Sequence, residues 1–186
     1  YGNTKQIGEE ILQESCKAHQ LNAIALRYFN PVGAHESIKI GELPIGVPQN
    51  LIPFVTQTAA GLRKELSVFG DDYPTPDGTA IRDYIHVVDL AKAHIAALQR
   101  LLQKKNKKKF EVFNVGSGKG SSVLEVIKAF EKASGQKLNY KIVGRRNGDI
   151  TSAYADTTTA NRELNWKTEK SLEEALAAAW NWQLQQ

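Results

Sequence analysis

The chain has 186 residues, 41% hydrophobic and 24% charged, with a formal net charge of +4. That length suits one domain, or a domain with a piece of another, and the apolar fraction supports a packed core, which excludes a disordered chain. No apolar run nears the roughly 20 residues that span a bilayer, and a single cysteine makes neither an internal disulfide nor a thiolate zinc site.

Residues 3–20 carry a helical pattern, with Ile7 and Ile11, and Gly8 and Leu12, repeating at four-residue spacing. Cys16 falls inside it and reads as a buried, inert thiol. Residues 22–29 form a strand-length apolar run, and a helix leading into such a run predicts a parallel α/β sheet. Residues 30–48 hold three prolines and three glycines and are expected to be a long loop, a place where function concentrates. A short helix is expected over 50–62, with Pro53 in its first turn. A strand follows at 66–69, a turn-rich connection at 70–78 and an extended segment at 81–85. Residues 87–102 predict a helix whose stripe is Leu90, His94, Ala97, Leu98 and Leu101. Then come a strand at 110–115, a glycine-rich turn at 116–120, and a helix to about 134 opened by the capping box Ser122/Glu125. A strand at 138–143, a short helix capped by Asp156 and ending near 164, and a last helix through Trp180, opened by a second capping box, Ser171/Glu174, complete the chain.

The positive charge is local. Lys104, Lys105, Lys107, Lys108 and Lys109 lie within six residues, and without them 19 basic residues face 20 acidic ones. This reads as a solvated loop and not as a nucleic-acid surface, which wants basic residues spread over a face. The chain opens on Tyr1 and contains no methionine, so it reads as a fragment of a longer protein. One cysteine and no opening signal peptide fit the cytoplasm.

Tyr1 and Lys5 stand at i and i+4, the spacing that puts two side chains on one helix face. A free phenol has a pKa of about 10, and a neighbouring ammonium favours its ionised form, fitting the tyrosine to exchange a proton with a substrate hydroxyl. The spacing alone is common. Gly116-Ser117-Gly118-Lys119-Gly120 follows a strand and precedes a helix but departs from G-x-G-x-x-G, so it reads as a turn.

Further blocks extend the pattern. Arg27-Tyr28-Phe29-Asn30-Pro31-Val32-Gly33-Ala34-His35 is followed by Gly46-Val47-Pro48-Gln49-Asn50-Leu51-Ile52-Pro53 and by Phe69-Gly70-Asp71-Asp72-Tyr73-Pro74. Then come Arg82-Asp83-Tyr84-Ile85-His86-Val87, Asn114-Val115-Gly116, Arg145-Arg146-Asn147-Gly148-Asp149 and Leu164-Asn165-Trp166. Together with the opening Tyr-x-x-x-Lys, these blocks resemble the extended short-chain dehydrogenase/reductase family, and more narrowly its UDP-sugar 4-epimerase branch, which interconverts UDP-glucose and UDP-galactose. The resemblance covers only the second half of such an enzyme. The glycine fingerprint, the acidic residue for the adenosine ribose and the third member of the catalytic triad are absent.

What the resemblance implies is specific. The fold would be α/β, the end of a Rossmann-type parallel sheet domain (1–30) plus a smaller α/β substrate-binding domain (31–186), with about 87–115 packing back on the Rossmann sheet. The enzyme would be NAD-dependent, moving hydride from sugar C4 and returning it to the other face, with Tyr1 as acid/base. Lys5 would bind the nicotinamide ribose, and Phe29 would line the nicotinamide pocket. Arg82 and Arg146 would hold the diphosphate, as forked guanidiniums suit phosphate oxygens. Asn30 and Asn50 would serve phosphate and sugar edges. The backbone of Ser67, Val68 and Phe69 would pair with the uracil edge, and Leu51 and Tyr84 would flank the nucleotide. Asp149 would accept from a ribose hydroxyl. Ala153 would be the wall residue beside the sugar, leaving room for UDP-N-acetylglucosamine. The full-length enzyme would be a homodimer.

Plainer alternatives stay open. Arg82 and Asp83 could form a surface ion pair, Phe69 could be core, and Asn30 could start a turn. His35 reads as a loop hydrogen-bonder, His86 and His94 as packing or solvent-facing residues, and Trp180 and Trp182 as seating the last helix. An epimerase for other UDP-sugars, or a non-catalytic UDP-sugar-binding fragment, are the alternative functions.

Overall fold

The computed structural model describes residues 2–186; Tyr1 lies outside the described residues. Fourteen elements follow in order: α1 (Gly2–Ala18), β1 (Ala23–Tyr28), β2 (Asn30–Val32), α2 (Leu51–Ala59), β3 (Leu66–Phe69), β4 (Ile81–His86), α3 (Val87–Leu102), β5 (Phe110–Val115), β6 (Gly120–Ser122), α4 (Val123–Ser134), β7 (Tyr140–Val143), β8 (Ser152–Ala153), α5 (Thr158–Leu164) and α6 (Leu172–Gln183). The class is α/β with parallel strands, as expected.

The strands fall into three groups. β1 pairs with β5 in parallel, from Ala23↔Phe110 to Tyr28↔Val115. β2 pairs in parallel with β4, which takes β6 antiparallel and β8 parallel. β3 pairs in parallel with β7. Parallel neighbours need a crossover between them, and helices within these crossovers bury their apolar faces against the strands. One core joins Val55, Leu66, Val68, Tyr84, Phe130, Leu176 and Trp180. The other joins Ile85, Leu90, Ala93, Phe113, Val115, Leu164 and Trp166. Phe130 is fully buried and meets Trp180 edge-on, with ring centroids 5.7 Å apart.

Three expectations need correction. The stretch 30–48 is not loop throughout: Asn30–Val32 forms an edge strand, where Pro31 is tolerated because its missing N–H faces no partner. The stripe of α3 is shifted: Asp89, Leu90, Ala93, Ala97 and Arg100 are its buried positions, while Leu98 is 56% exposed. The residue at the start of α5 is Thr157, without a side-chain cap bond; Asp156 instead accepts from the Thr158 N–H at 3.0 Å. Both capping boxes form.

The loop from Gly70 to Thr79 is pinned by chemistry that only glycine permits at one point. A Cβ on Gly78 would stand 1.9 Å from the Asp71 carbonyl oxygen, and its φ is +79°. Asp77 accepts from the backbone and hydroxyl of Thr79 and from the Ser122 hydroxyl, tying this loop to the start of α4.

His86 caps α3. Its Nδ1 accepts from the Val88 N–H at 3.1 Å, which requires the neutral ring. Burial is the main cause lowering its pKa from the usual imidazole value, with Asp89 opposing. The unfolded chain takes a proton on this histidine near pH ~6.5, and the folded chain does so only at lower pH. Stability contributed by neutral His86 is therefore present above ~6.5 and is lost as pH falls toward the depressed folded value. His86→Asn keeps a cap acceptor. Thermal midpoints from pH 7 down to 5 should decline less steeply in that variant than in wild type.

Candidate substrate cleft

A cleft of about 680 Å³ opens between β2, β4, α2 and β3. Strand alternation fills it. On β4, Arg82 and Tyr84 face the cleft, while Asp83 turns to the other side and is fully buried. On β3, Ser67 and Phe69 face it, while the Val68 side chain is 1% exposed in the core. β2 brings Asn30 into register with Tyr84, a juxtaposition that the short edge strand alone creates. Asn50, at the cap position of α2, and Leu51 line the same space, as do Arg146 and Asp149.

Electrostatics set its character. Four cationic side chains (Arg63, Lys64, Arg82, Arg146) and two acidic ones (Glu65, Asp149) line the cleft. Arg82 donates to Asp149 Oδ1 at 2.5 Å and to the carbonyls of Ile81 and Ile150, each at 2.8 Å. Arg146 donates to Asp149 Oδ2 at 3.1 Å, and its guanidinium lies 4.7 Å above the Phe69 ring. Burial pushes the Tyr84 phenol up to about 12, despite the opposing Arg82 charge, so it stays a neutral hydrogen-bonding group. Asn50 donates to Glu42 at 3.1 Å. Among the described residues β3 has β7 on one side and no strand on the other, so its outer backbone groups can pair with a flat polar edge.

Several sequence alternatives are decided by this geometry. Arg82 does not pair with Asp83. The Asp83 carboxylate accepts from Ser117 N and Oγ, Gly118 N and Ala155 N, so it clamps the glycine-rich turn instead. That turn spends the N–H groups of Ser117 and Gly118 internally and offers no cradle for a dinucleotide pyrophosphate. Phe69 is 37% exposed on the cleft, not core. His35 bonds Ser37 within its own loop at 2.8 Å, and His94 meets the Leu90 carbonyl at 2.9 Å. Trp182 donates to the Glu42 carbonyl at 2.9 Å, seating α6 on the 33–47 loop.

Other residues lie apart. Lys5 stands in the first turn of α1, Phe29 is half-buried just after β1, and neither lines the cleft. The Tyr1–Lys5 pair lies partly outside the described residues. Ala153 is not a lining residue, but it is in register with Arg82 on the parallel strand β8. Parallel partners point the same way, so its Cβ shares the face of Arg82 and Tyr84. Tyr154 points to the opposite face, its ring 3.2 Å from where a Cβ on Gly120 would stand. Sequence reading missed Arg63, which stacks over Phe54 at 4.7 Å and donates to Gln57 at 2.7 Å. No motif flags it; only its charge beside Lys64 was visible.

These features define an α/β protein with a cationic, aromatic-edged cleft at a strand edge, suited to an anionic nucleotide. The family model of GDP-mannose 4,6 dehydratase matches residues 1–179, and the chain belongs to that family. The resemblance read from the motif blocks thus holds. Among relatives, UDP-glucose 4-epimerase of Erwinia amylovora is 50% identical over all of this chain and 54% of its own length. A UDP-glucose-4-epimerase from Stenotrophomonas maltophila, solved with NAD and formylated UDP-arabinopyranose, superposes with a TM-score of 0.94 at 49% identity, over 100% of this chain and 55% of that one. One from Bifidobacterium longum, with NAD+ and UDP, gives 0.92 at 50% identity, over 100% and 54%. The chain spans about half the length of the curated relatives it matches.

Proposed function

We propose that this chain supplies the sugar-nucleotide half of an NAD-dependent UDP-sugar 4-epimerase acting on UDP-glucose and UDP-galactose. The observation that carries the reading is the convergence of Arg82, Arg146, Asn30, Asn50 and the β3 edge on one cleft. Cations for a diphosphate, an aromatic wall and free backbone groups for a base stand in that single space. The relatives with bound NAD and uridine nucleotides support it.

In this mechanism Arg82 and Arg146 bind the diphosphate and Asn30 orients the sugar. Asp149, as carried over from the family, also serves the ribose. Tyr1 takes the proton of the C4 hydroxyl and returns it, and the ammonium of Lys5 favours the phenolate. When bound, NAD supplies a hydride acceptor and donor. Of the residues present, those that the family resemblance assigns to NAD serve only its nicotinamide end: Phe29, next to Asn30 in sequence but outside the cleft lining, and Lys5 for the ribose. The occupied N–H groups of the 116–120 turn do not fit its pyrophosphate.

The proposal includes the division at residue 30. The separate pairing of β1 with β5 supports it, and it brings α3 and β5 back to the first unit. It also includes a homodimer, in keeping with Ile7 and Ile11 at 52% and 61% exposure on α1. The reducing cytoplasm suits the free, buried Cys16.

Specificity follows from Ala153. Its small side chain is in register with Arg82, while the Tyr154 ring lies beside Gly120. An N-acetyl group would gain on the order of 1 kcal/mol from burying its methyl there. The complete enzyme is expected to accept UDP-N-acetylglucosamine beside UDP-glucose, and Ala153→Tyr to reject the acetylated sugar selectively. Comparing kcat/KM for both sugars in both proteins tests this; a wild type that ignores the acetylated sugar contradicts it. For the cleft itself, calorimetric titration should give one site for UDP and weaker binding of ADP. Equal affinity for both would contradict a uracil site on β3.

A further inference from the structure

We infer that Asp149 is a positioning residue for the two phosphate-binding arginines, beyond any contact it makes with a ribose. The inference rests on the UDP-sugar reading of the cleft.

The charge of Asp149 is the wrong sign for a site that receives a diphosphate. Its side chain is nevertheless only 12% exposed, and both of its oxygens are taken. Oδ1 accepts from Arg82 and Oδ2 from Arg146. One carboxylate therefore bridges two like-charged heads that would otherwise repel each other in a partly desolvated cleft. Arg82 is also held by the carbonyls of Ile81 and Ile150. Arg146 is held by less: 56% of its side chain is exposed, and its fixed points are Asp149 and the Phe69 face. The two residues share one turn, in which Gly148 adopts φ +77° and the Asp149 N–H meets the Arg146 carbonyl at 3.3 Å. Asp149 thus holds Arg146 over Phe69 and beside Arg82 before any anion arrives.

Three roles give three different results for Asp149→Asn. If the carboxylate acted only through space, removing a negative charge would tighten UDP binding. If it served only a ribose hydroxyl, UDP and uridine would weaken equally. As a positioning residue that also meets the ribose, its loss weakens UDP far more than uridine.

The test is calorimetric titration of UDP and uridine, with folding checked by circular dichroism. Asp149→Asn is expected to weaken UDP about tenfold or more, the scale of a charge-assisted hydrogen bond, and uridine less than about threefold. Asp149→Glu keeps the charge but shifts it by one methylene, and the same UDP-specific loss is expected. In an Arg146→Ala background, Asp149→Asn should cost less than about threefold, because its main client is gone. Equal losses for UDP and uridine, tighter UDP binding, or an undiminished loss in the Arg146→Ala background would each overturn the inference. A wild type that binds no UDP would instead bring down the reading of the cleft, and this inference with it.

Discussion

Replacing Tyr1 by phenylalanine is expected to lower turnover of the complete enzyme by about 100-fold or more, while UDP-sugar binding stays nearly intact. The reason is chemical. Phenylalanine keeps the ring's volume but removes the hydroxyl proposed to take and return the C4 hydroxyl proton. Lys5, four residues on in the sequence, is proposed to favour the phenolate. Lowering a phenol from about 10 toward neutrality requires roughly 4 kcal/mol of differential stabilisation, which a nearby ammonium and a cationic nicotinamide together can provide. Steady-state kinetics with a separate measurement of UDP-sugar affinity separates the two effects. Full activity in Tyr1→Phe would remove this residue from the mechanism.

The second large effect concerns affinity. Arg146→Ala deletes a guanidinium that stacks 4.7 Å over Phe69 and faces the cleft. One or two charge-assisted hydrogen bonds to phosphate oxygens are worth ~1.5–3 kcal/mol each, so UDP should bind about 10- to 100-fold more weakly. The proposed phosphate contact would hold before and during the reaction, so KM should rise while kcat changes little. A fall in kcat with unchanged affinity would place Arg146 in the chemical step instead.

Much of the fold was legible where a periodic pattern runs long enough. The bounds of α3 and β5 follow from the sequence, as do both capping boxes, because Ser122/Glu125 and Ser171/Glu174 are local signals. β2, β6 and β8 were not legible: two or three residues carry no period, and their pairing depends on partners far along the chain. The same limit governs the cleft. Arg82 stands next to Asp83 in sequence, which suggested a pair. Strand alternation separates them, and the true partner, Asp149, lies 67 residues away. The nine residues Asn30, Asn50, Leu51, Ser67, Phe69, Arg82, Tyr84, Arg146 and Asp149 meet in one space. The motif resemblance named them, but periodicity could not bring them together.

Asp83 illustrates the remaining gap. Beside an arginine it reads as a surface charge, yet it is fully buried and accepts four hydrogen bonds from the 116–118 turn and Ala155. It fastens β4 to the segment that carries Ala153, so Ala153 and Arg82 share one scaffold.

The proposed reaction is C4 epimerisation with return of the same hydrogen. Incubating the complete enzyme with UDP-galactose in D2O and following the C4 proton by NMR tests it most directly. UDP-glucose is expected to form with protium retained at C4. No interconversion, or deuterium at C4, would contradict it.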